Sequence, residues 1–136
     1  GGNAMHEIKW KYVKPIIDED NVLNFLLQHG VNLPQQILDC IIENNGGRPS
    51  STVFNTNKSK ERVFKSLLSY NSEDRENIYS VYPNMFRGTE LYPIGTDAAG
   101  NFICIDLQND NTLILWEHES RRKELIDQSE FNIFAY

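Results

Sequence analysis

The segment from Pro93 to Asp106 restricts the possible fold more than any other part of the chain. It reads PIGTDAAGNFICID, and its turn at residues 99–101, Ala-Gly-Asn, is followed at once by a β-prone run at residues 102–105. Glycine and asparagine tolerate the positive φ angles of tight connections, so the segment is predicted to form a hairpin. A second turn cluster at residues 108–111 leads into another β-rich run, 112–116, which predicts a three-stranded antiparallel meander.

The middle strand of this meander is predicted to lie inside a larger sheet. Alternate residues of a strand point to opposite faces. Both faces are mostly apolar here, which favours a strand covered by helices on at least one side. The predicted class is α+β, with a central, largely antiparallel sheet and helices packed against it. One face carries Ile103, Ile105 and Leu107, and the other carries Phe102, Cys104 and Asp106.

Two amphipathic helices are predicted in the first third of the chain. The first covers residues 18–29 and stops at Gly30, because glycine readily takes the left-handed conformation that ends a helix. The second begins at Leu33-Pro34, where proline suits the first helical position, and ends at Asn45-Gly46-Gly47. The apolar stripes comprise Val22, Leu23, Leu26 and Leu27 in the first helix and Ile37, Leu38, Ile41 and Ile42 in the second.

Shorter elements fill the rest of the chain. A strand is predicted at residues 51–54. Residues 63–70 fit either a helix or a strand, and the turn signals that flank them favour a strand. A third helix is predicted to open at Asn71 or Ser72, because the acidic residues that follow are favourable in a first turn, and to end at Pro83-Asn84. Residues 129–136 are predicted to form a closing helical turn that places Phe131 and Phe134 on the core.

Length and composition are those of an ordinary globular protein. With 136 residues, of which 40% are hydrophobic and 24% charged, residues 5–136 are predicted to form a single domain. Residues 1–4 precede the first methionine and are interpreted as a remnant of expression. The longest apolar runs are far shorter than the roughly 20 residues that a membrane span needs. A soluble, cytoplasmic protein without membrane contact is therefore expected.

Side chains that could support chemistry have simpler interpretations. Cys40 and Cys104 lie in apolar patterns, which indicates buried free thiols rather than a disulfide framework. A nucleophilic pair of Cys104 and His118 is disfavoured, because a thiol in the middle of an apolar strand is normally packed and protonated. A metal site formed by Asp106, His118 and Glu119 is disfavoured because adjacent strand residues point to opposite faces. The chain is expected to be non-enzymatic and to hold neither a metal nor a cofactor.

Paired carboxylates are a further possibility at the hairpin. Asp97 and Asp106 flank it and could act together in acid–base chemistry. Asp97 is better explained as a turn former, because its carboxylate can accept hydrogen bonds from the backbone of the turn. No acid–base pair is therefore predicted.

Charge is unevenly distributed along the chain. The net charge of −6 divides into +1 for residues 1–68 and −7 for residues 69–136. A protein that binds nucleic acid directly needs a basic surface, so direct nucleic-acid binding is disfavoured. The acidic half favours a basic protein partner, whose approach it would accelerate. The alternative, that acidity serves solubility alone, stays open.

Several motifs resemble those of a known family in their order along the chain. Leu33-Pro34, followed by Asn-Asn-Gly-Gly at residues 44–47, resembles the LP…NGG signature of the SUKH superfamily, which includes fungal cell-wall-synthesis regulators of the Smi/Knr type. Residues 93–106 resemble its P-I-A-x-D-x-x-G-N-x-x-C-x-D segment, and residues 116–119 resemble its strand that ends in His-Glu. Residues 129–134 are similar to its S-F-x-x-F ending. The motif residues, taken as structural, are Leu33, Pro34, Asn45, Gly46, Gly47, Asp97, Gly100, Asn101 and Asp106.

The resemblance implies both a fold and a function. The implied fold is the α+β arrangement above. Bacterial members look like immunity proteins encoded beside polymorphic or contact-dependent toxins, many of them nucleases or deaminases, whose active site or substrate groove they block. The fungal relatives imply an alternative, a regulatory scaffold that binds several partners. Gly95 stands where the family often has alanine, a difference expected to matter little.

The implied partner is a basic toxin domain, bound by a protein that is a monomer or a weak dimer. Because a nuclease must be basic to hold nucleic acid, contacts are predicted on the acidic half of the chain. Trp116 fits a core position, but an exposed tryptophan beside carboxylates would also suit an interface. The predicted contacts are Glu73, Asp74 and Glu76 on the third helix, Asp110 in a turn, and Trp116, Glu117 and Glu119 at the end of the meander.

Overall fold

A computed structural model describes residues 8–129 and 131–134. Within these ranges the chain forms three helices and eight strands. The helices are α1 (Asp20–Gln28), α2 (Gln35–Glu43) and α3 (Ile78–Met85). The strands are β1 (Trp10–Lys11), β2 (Arg48–Pro49), β3 (Val53–Phe54), β4 (Arg62–Leu67), β5 (Leu91–Asp97), β6 (Phe102–Asp106), β7 (Thr112–Trp116) and β8 (Lys123–Leu125).

The main sheet is an antiparallel meander of six strands in the order β3-β4-β5-β6-β7-β8, while β1 and β2 form a separate pair. The predicted three-stranded meander is confirmed as β5, β6 and β7, and the sheet continues beyond it on both sides. Strand β6 is central, and Ile103, Cys104 and Ile105 are all fully buried. Both faces of this strand are therefore covered, where its apolar residues predicted cover on at least one side.

The two turns of the meander have the backbone geometry that their residues favour. Gly100 has a φ of +87° in the turn between β5 and β6. In the turn between β6 and β7, Asp110 and Asn111 have φ angles of +53° and +56°. Asparagine and aspartate tolerate this left-handed region better than other side chains do. Local turn chemistry therefore sets the register of the meander.

The main sheet curls until its first and last strands meet. Thr56, just after β3, pairs with Ile126, just after β8. Two backbone hydrogen bonds extend this contact, from the Asn57 amide to the Leu125 carbonyl at 2.9 Å and from the Asp127 amide to the Asn55 carbonyl at 2.8 Å. The outer strands therefore satisfy part of each other's backbone, as the strands of a closed barrel do.

A buried carboxylate holds this closure in place. Glu124 on β8 accepts hydrogen bonds from the Thr56 hydroxyl at 2.6 Å and the Ser59 hydroxyl at 2.7 Å. The Arg62 guanidinium lies 3.8 Å from the same carboxylate. The sequence prediction missed β8, because its residues 123–125 continue a charged run and only the middle side chain points inward.

Helix α1 is confirmed, but part of its predicted apolar stripe is wrong. Leu23 and Leu27 are 50% and 81% exposed. The helix instead buries Val22, Phe25 and Leu26. The reason is the Phe25 ring, which packs edge-on among tyrosine rings at centroid distances of 5.3 to 6.2 Å and so turns the neighbouring leucines outward.

Helix α2 ends as predicted but begins one residue later than predicted. Pro34 is the residue before its first turn, with φ −55° and ψ 144°. Ile37, Cys40 and Ile41 face the core, whereas Leu38 and Ile42 are half-buried at its margin. Gly46, just beyond the helix, has a φ of +68°, which fits a helix stop.

The predicted start of the third helix is wrong. Residues 71–77 form a loop, and α3 begins at Ile78 after Asn77, whose side-chain oxygen accepts the Ser80 amide at 2.9 Å. The loop is held against β4 by backbone bonds of 2.9 Å from Ser69 to Glu76 and from Ile78 to Ser69. Pro83 lies inside α3 and does not end it. The acidic residues 73, 74 and 76 consequently belong to a loop.

The closing segment covers the core as predicted. Phe131 and Phe134 are buried, and the Phe131 ring lies 5.2 Å from that of Phe54 and 5.8 Å from that of Phe64. The described residues 131–134 form an irregular turn and no helix. Residues 130, 135 and 136 of the predicted helical turn lie outside the described ranges.

Candidate partner-binding surface

Asp97 organises the turn between β5 and β6. Its carboxylate is buried and accepts the Asn101 amide at 2.7 Å, the Ala99 amide at 3.0 Å and the Asn101 side-chain amide at 3.0 Å. The predicted role of Asp97 as a turn former agrees with this geometry. Three N–H donors supply the compensation that a buried carboxylate requires.

Asn101 links this turn to the segment after β7. Because its side-chain nitrogen donates to Asp97, its oxygen faces His118 and accepts the His118 backbone amide at 3.0 Å. The same oxygen lies 2.7 Å from the Nδ1 atom of the His118 ring. An amide oxygen only accepts, so Nδ1 carries the proton. The two motifs that the resemblance singled out thus form one hydrogen-bonded unit.

The pairs considered for chemistry are not assembled. The imidazole of His118 is bound to Asn101 and not to Cys104, and burial raises the pKa of the Cys104 thiol well above its ordinary value. Asp97 and Asp106 lie at opposite ends of the β5–β6 pair, where Asp106 accepts the Gln108 amide at 3.2 Å. Each of these carboxylates serves a different turn.

The first motif is also a structural unit. Asn45 is fully buried, and its amide donates to the Lys14 carbonyl at 2.8 Å and the Ser69 hydroxyl at 3.0 Å, while its oxygen accepts the Tyr70 amide at 2.8 Å. It therefore joins the N-terminal segment to the end of β4. At Gly47 an added Cβ would lie 2.8 Å from the Asn44 carbonyl oxygen, too close for any other residue type.

The predicted contact residues at the end of β7 are accessible in different degrees. Glu119 is exposed over 83% of its side chain. The Glu117 carboxylate accepts the Ser120 amide at 2.9 Å and the Glu119 amide at 3.2 Å, and hydrogen bonding by Ser120 lowers the pKa of Glu117. Trp116 is half-buried, with its ring 5.2 Å from that of Phe86. Trp116 is therefore neither a fully buried core residue nor a fully exposed interface residue.

The acidic loop 71–77 is partly committed to internal contacts. The Glu76 carboxylate lies 2.7 Å from the Lys65 ammonium group, and Asp74 accepts the Ser69 hydroxyl at 2.5 Å. Glu73 is exposed. Within this loop, Glu73 is therefore the carboxylate most available to a partner.

Glu76, Trp116, Glu117 and Glu119 of the predicted contacts adjoin the turn between β5 and β6. The loop 71–77 faces the turn between β5 and β6 across a groove, and residues 116–119 join the same turn through Asn101. Asp110 lies at the other end of β7, about 16 Å away for five strand residues. Asp110 is therefore separated from the contacts at the end of β7 by the length of that strand, and its role as a contact stays a prediction.

A family model for the SMI1/KNR4 family (SUKH-1) matches residues 16–132. The chain belongs to the SMI1/KNR4 family. No curated protein and no solved structure matches it. SUKH-1 membership supports a role as an immunity or regulatory scaffold that acts through protein–protein contacts. The α+β architecture, with its antiparallel sheet, agrees with the fold expected for the family.

The groove beside the turn is a feature of this SUKH-1 protein that the sequence prediction missed. It has a volume of about 250 Å³. Thr96, on its wall, is only 5% exposed, and its hydroxyl oxygen has no hydrogen-bond partner among the described residues. The sequence does not predict this groove, because the position of Thr96 depends on register shifts in the pairings of β5 with β4 and with β6. The lining residues are Lys65, Leu68, Arg75, Glu76, Asn77, Ser80, Val81, Thr96, Asp97, Ala98, Gly100 and Phe102.

A second missed surface of the SUKH-1 chain is apolar. Leu23 and Leu27 lie one turn apart on the outer face of α1, and Ile17, just before the helix, is 82% exposed. Large aliphatic side chains exposed one turn apart on a helix, as Leu23 and Leu27 are, are typical of binding surfaces.

Within the described ranges the chain has neither a membrane-spanning helix nor a cluster of metal ligands. No helix there is long and apolar enough to cross a membrane. The same ranges contain no group of three His, Cys, Asp or Glu side chains placed to hold a metal ion.

Proposed function

We propose that this SUKH-1 protein is a non-enzymatic immunity protein that binds and neutralises a cognate polymorphic or contact-dependent toxin, a nuclease or a deaminase. The observation that carries the proposal is family membership over residues 16–132. The availability of Glu73, Glu117 and Glu119 supports it, because these carboxylates have no lysine or arginine ion pair among the described residues.

Electrostatics gives this surface a role in the rate of binding. A nuclease needs a basic groove to hold nucleic acid, and opposite charge accelerates encounter. The attraction is smaller than the charge of the C-terminal half suggests, because Arg75, Arg121 and Arg122 are exposed in the same loops. The accessible carboxylates accelerate the approach of the toxin, and neighbouring uncharged groups supply the contacts that stabilise the complex.

A non-enzymatic role is supported by how the chemically capable side chains are used. The Cys104 thiol is buried and its pKa is raised by desolvation. The His118 ring is hydrogen-bonded to Asn101 within a structural network. In this proposal, protection follows from covering the active site or substrate groove of the toxin.

The deciding experiment is a pull-down of the purified protein with the toxin domain encoded beside its gene, with affinity measured at two salt concentrations. Tight one-to-one binding that weakens as salt rises is the expected result. If the neighbouring toxin does not bind, or if no toxin gene is adjacent, the immunity proposal fails.

The second candidate function is a regulatory scaffold, which the exposed apolar face of α1 favours. Leu23 and Leu27 expose an apolar patch on α1. Ile17, just before the helix, adjoins loop 71–77, because its amide donates to the Asn71 side-chain oxygen at 3.0 Å. The molecule therefore offers an apolar place for a partner in addition to the carboxylates. A gene that stands apart from any toxin gene would favour this alternative. Loss of a bound cellular partner on changing Leu27→Glu, with toxin binding absent, would support it directly.

A further inference from the structure

The small sheet formed by β1 and β2 has one apolar face and one basic face. Trp10 and Pro49 pair across the sheet; Pro49 is buried and Trp10 packs at the margin of the core. Because alternate residues of a strand point to opposite faces, the residues on either side of this pair point away from the core. This basic face consists of Lys9, Lys11, Arg48 and Ser50.

The register of the two strands places like charges side by side. Lys11 stands directly opposite Arg48. The Ser50 amide donates to the Lys9 carbonyl at 2.7 Å, so Lys9 stands opposite Ser50 on the same face. Like charges directly opposite each other on antiparallel strands are destabilising. The basic face of the free protein therefore contains a repulsive pair.

The described part of the chain supplies no carboxylate to this face. None of its ion pairs includes Lys9, Lys11 or Arg48. Carboxylates are not scarce, because the sequence has 19 acidic and 13 basic residues. Cations of the main sheet are paired, in contrast, at distances of 3.8, 2.7 and 2.7 Å. Those pairs are Arg62–Glu124, Lys65–Glu76 and Lys123–Glu90.

The spacing of the cations fits an extended acidic segment. Lys9 and Lys11 are separated by one residue, which is about 7 Å along a strand. Carboxylates on alternate residues of an extended segment repeat at the same distance. The Arg48 guanidinium is a fork of donors that matches a carboxylate. The Ser50 hydroxyl accepts the Lys9 amide at 3.1 Å and keeps its own proton to donate.

A protein segment fits this face better than a nucleic acid does. Nucleic acid presents a long run of phosphates and needs a correspondingly large basic surface, whereas the whole chain has a net charge of −6. Membership of the SMI1/KNR4 family supports protein–protein contacts. Strand β1 precedes residues 16–132, which the family model matches. Two of the three cations therefore lie outside the part shared with the family, as contacts to one particular partner should.

We propose that the basic face binds an extended acidic segment of the protein partner, resting on the proposed function only in that the partner is a protein. One carboxylate of the segment lies beside Lys9 and Ser50, and the carboxylate two residues away lies between Lys11 and Arg48. The second carboxylate replaces a repulsion by two attractions. Because exposed ion pairs add little affinity each, the face contributes mainly selectivity and speed of association.

The direct test is an NMR titration of the full chain at low salt with three capped pentapeptides, Ser-Glu-Ser-Glu-Ser, Ser-Gln-Ser-Gln-Ser and Ser-Lys-Ser-Lys-Ser. The acidic peptide is expected to shift the amide signals of Lys9, Lys11 and Ser50 saturably, with a dissociation constant on the order of 1 mM. Its binding should weaken several-fold at about 0.15 M salt. The neutral and basic peptides should not saturate.

A thymidine trinucleotide without terminal phosphates has the same two negative charges as the acidic peptide and tests the nucleic-acid alternative. It is expected to bind no more tightly than the peptide. Tighter binding of the trinucleotide would assign the face to nucleic acid and overturn the proposal. Binding of the neutral peptide as tight as that of the acidic peptide, or no saturable shift at the face, would also overturn it.

Matched variants separate the local charges from the net charge. Lys11→Gln with Arg48→Gln should weaken binding of the acidic peptide by about tenfold, because both charges act at contact distance. Lys60→Gln with Arg87→Gln, at exposed positions on other elements, changes the net charge equally and should weaken binding by less than about twofold. Equal losses in the two double variants would contradict a local site.

A single variant makes the test independent of the paired positions. Lys9→Gln leaves Lys11 and Arg48 in place and should weaken binding of the acidic peptide several-fold, even if the double variant does not fold. Unchanged binding in Lys9→Gln would contradict the placement of the first carboxylate.

Binding of the toxin to the same variants separates this proposal from the proposed function. If the toxin binds tightly and Lys11→Gln with Arg48→Gln leaves its affinity and association rate unchanged, the acidic segment is wrong and immunity stands. If the acidic peptide binds the face but the toxin does not bind the protein, the site stands and the assignment of the toxin as partner is wrong.

Discussion

Two buried threonines, Thr56 and Thr96, lie in opposite hydrogen-bonding situations. The Thr56 hydroxyl donates to Glu124 at 2.6 Å and accepts the backbone amides of Lys58 at 3.1 Å and Ser59 at 2.8 Å. The Thr96 hydroxyl has no such partner among the described residues. One side chain therefore stabilises the fold, while the other carries a polar group that the fold alone does not use.

This contrast predicts opposite effects for the same substitution. Thr96→Val removes an unsatisfied buried hydroxyl and should raise the free energy of unfolding by about 1 kcal/mol. Thr56→Val removes satisfied bonds to a buried carboxylate and should lower it by about 2 kcal/mol. Urea unfolding of both variants measures the difference. A loss of stability in Thr96→Val as large as that in Thr56→Val would show that the Thr96 hydroxyl is bonded in solution.

Gly95 matters more than its resemblance to an alanine position suggested. An added Cβ would lie 2.6 Å from the Phe64 ring and 2.7 Å from the Ser66 carbonyl oxygen. The expectation that alanine would make little difference is therefore wrong in this chain. Phe64, fully buried on the neighbouring strand, takes the space that a methyl group would need.

Gly95→Ala should consequently lower the free energy of unfolding by about 1–3 kcal/mol, the usual cost of overpacking a core. The double variant Gly95→Ala with Phe64→Leu should be less unstable than the two single costs added together, because the smaller side chain gives way to the methyl group. Chemical unfolding of the two single variants and the double variant measures the coupling. Strictly additive losses would contradict a direct contact between the two positions.

At the scale of elements, sequence predicted those whose cause is local. The hairpin at residues 97–101 follows from glycine and asparagine in the turn, and α2 from its spacing of apolar residues. Helix α3 starts late because Asn77 caps it while the preceding loop bonds to Ser69 on the sheet. Strand β8 pairs with β7 on one side and meets residues 55–57 on the other. Both elements depend on tertiary contacts, which local patterns do not record.

The candidate site divides in the same way. Asp97, Asn101 and His118 stood out in the sequence, and the structure joins them directly. The groove beside Thr96 did not, because it forms only when loop 71–77 folds over the β5–β6 turn. The motif residues thus predicted the turn that borders the surface, whereas the groove beside this turn depends on tertiary structure.

The loop after β7 is the element on which the steering prediction depends. Reversing Glu117 and Glu119 to lysine should slow association with the toxin by roughly tenfold at low salt and flatten its salt dependence. Glu43→Lys, an exposed change on α2, is the matched control and should have a much smaller effect. Stopped-flow measurements at several salt concentrations test this. Unchanged association rates in the double variant would remove these residues from the encounter surface.

At the scale of the whole molecule, closure of the sheet depends on the charge of Glu124. Desolvation by burial raises the pKa of this carboxylate, but hydrogen bonds from Thr56 and Ser59 and the charges of Arg62 and Lys58 outweigh it, so its pKa is lowered overall. A lowered folded-state pKa means that the ionised group stabilises the fold. This contribution is complete above the ordinary glutamate pKa and is lost as pH falls through the lower folded-state value.

Glu124→Gln should therefore destabilise the protein by about 2 kcal/mol at neutral pH and by clearly less at about pH 3, close to or below the glutamate pKa. Urea unfolding at both pH values gives the comparison. Glu61→Gln, at an exposed position, is the control and should change stability little at either pH. An equal loss for Glu124→Gln at both pH values would show that packing, not charge, holds the closure.

Closure of the sheet also determines when the protein becomes able to bind its partner during its synthesis. The bond from Thr56 to Glu124 spans 68 positions of the chain, so the early strand waits for a partner that is translated 68 residues later. Until then its edge is open to other chains. A ribosome that stalls before it reaches β8 releases a sheet that has helices α1 to α3 and no closure. Such a product should be degraded or aggregate rather than bind its partner.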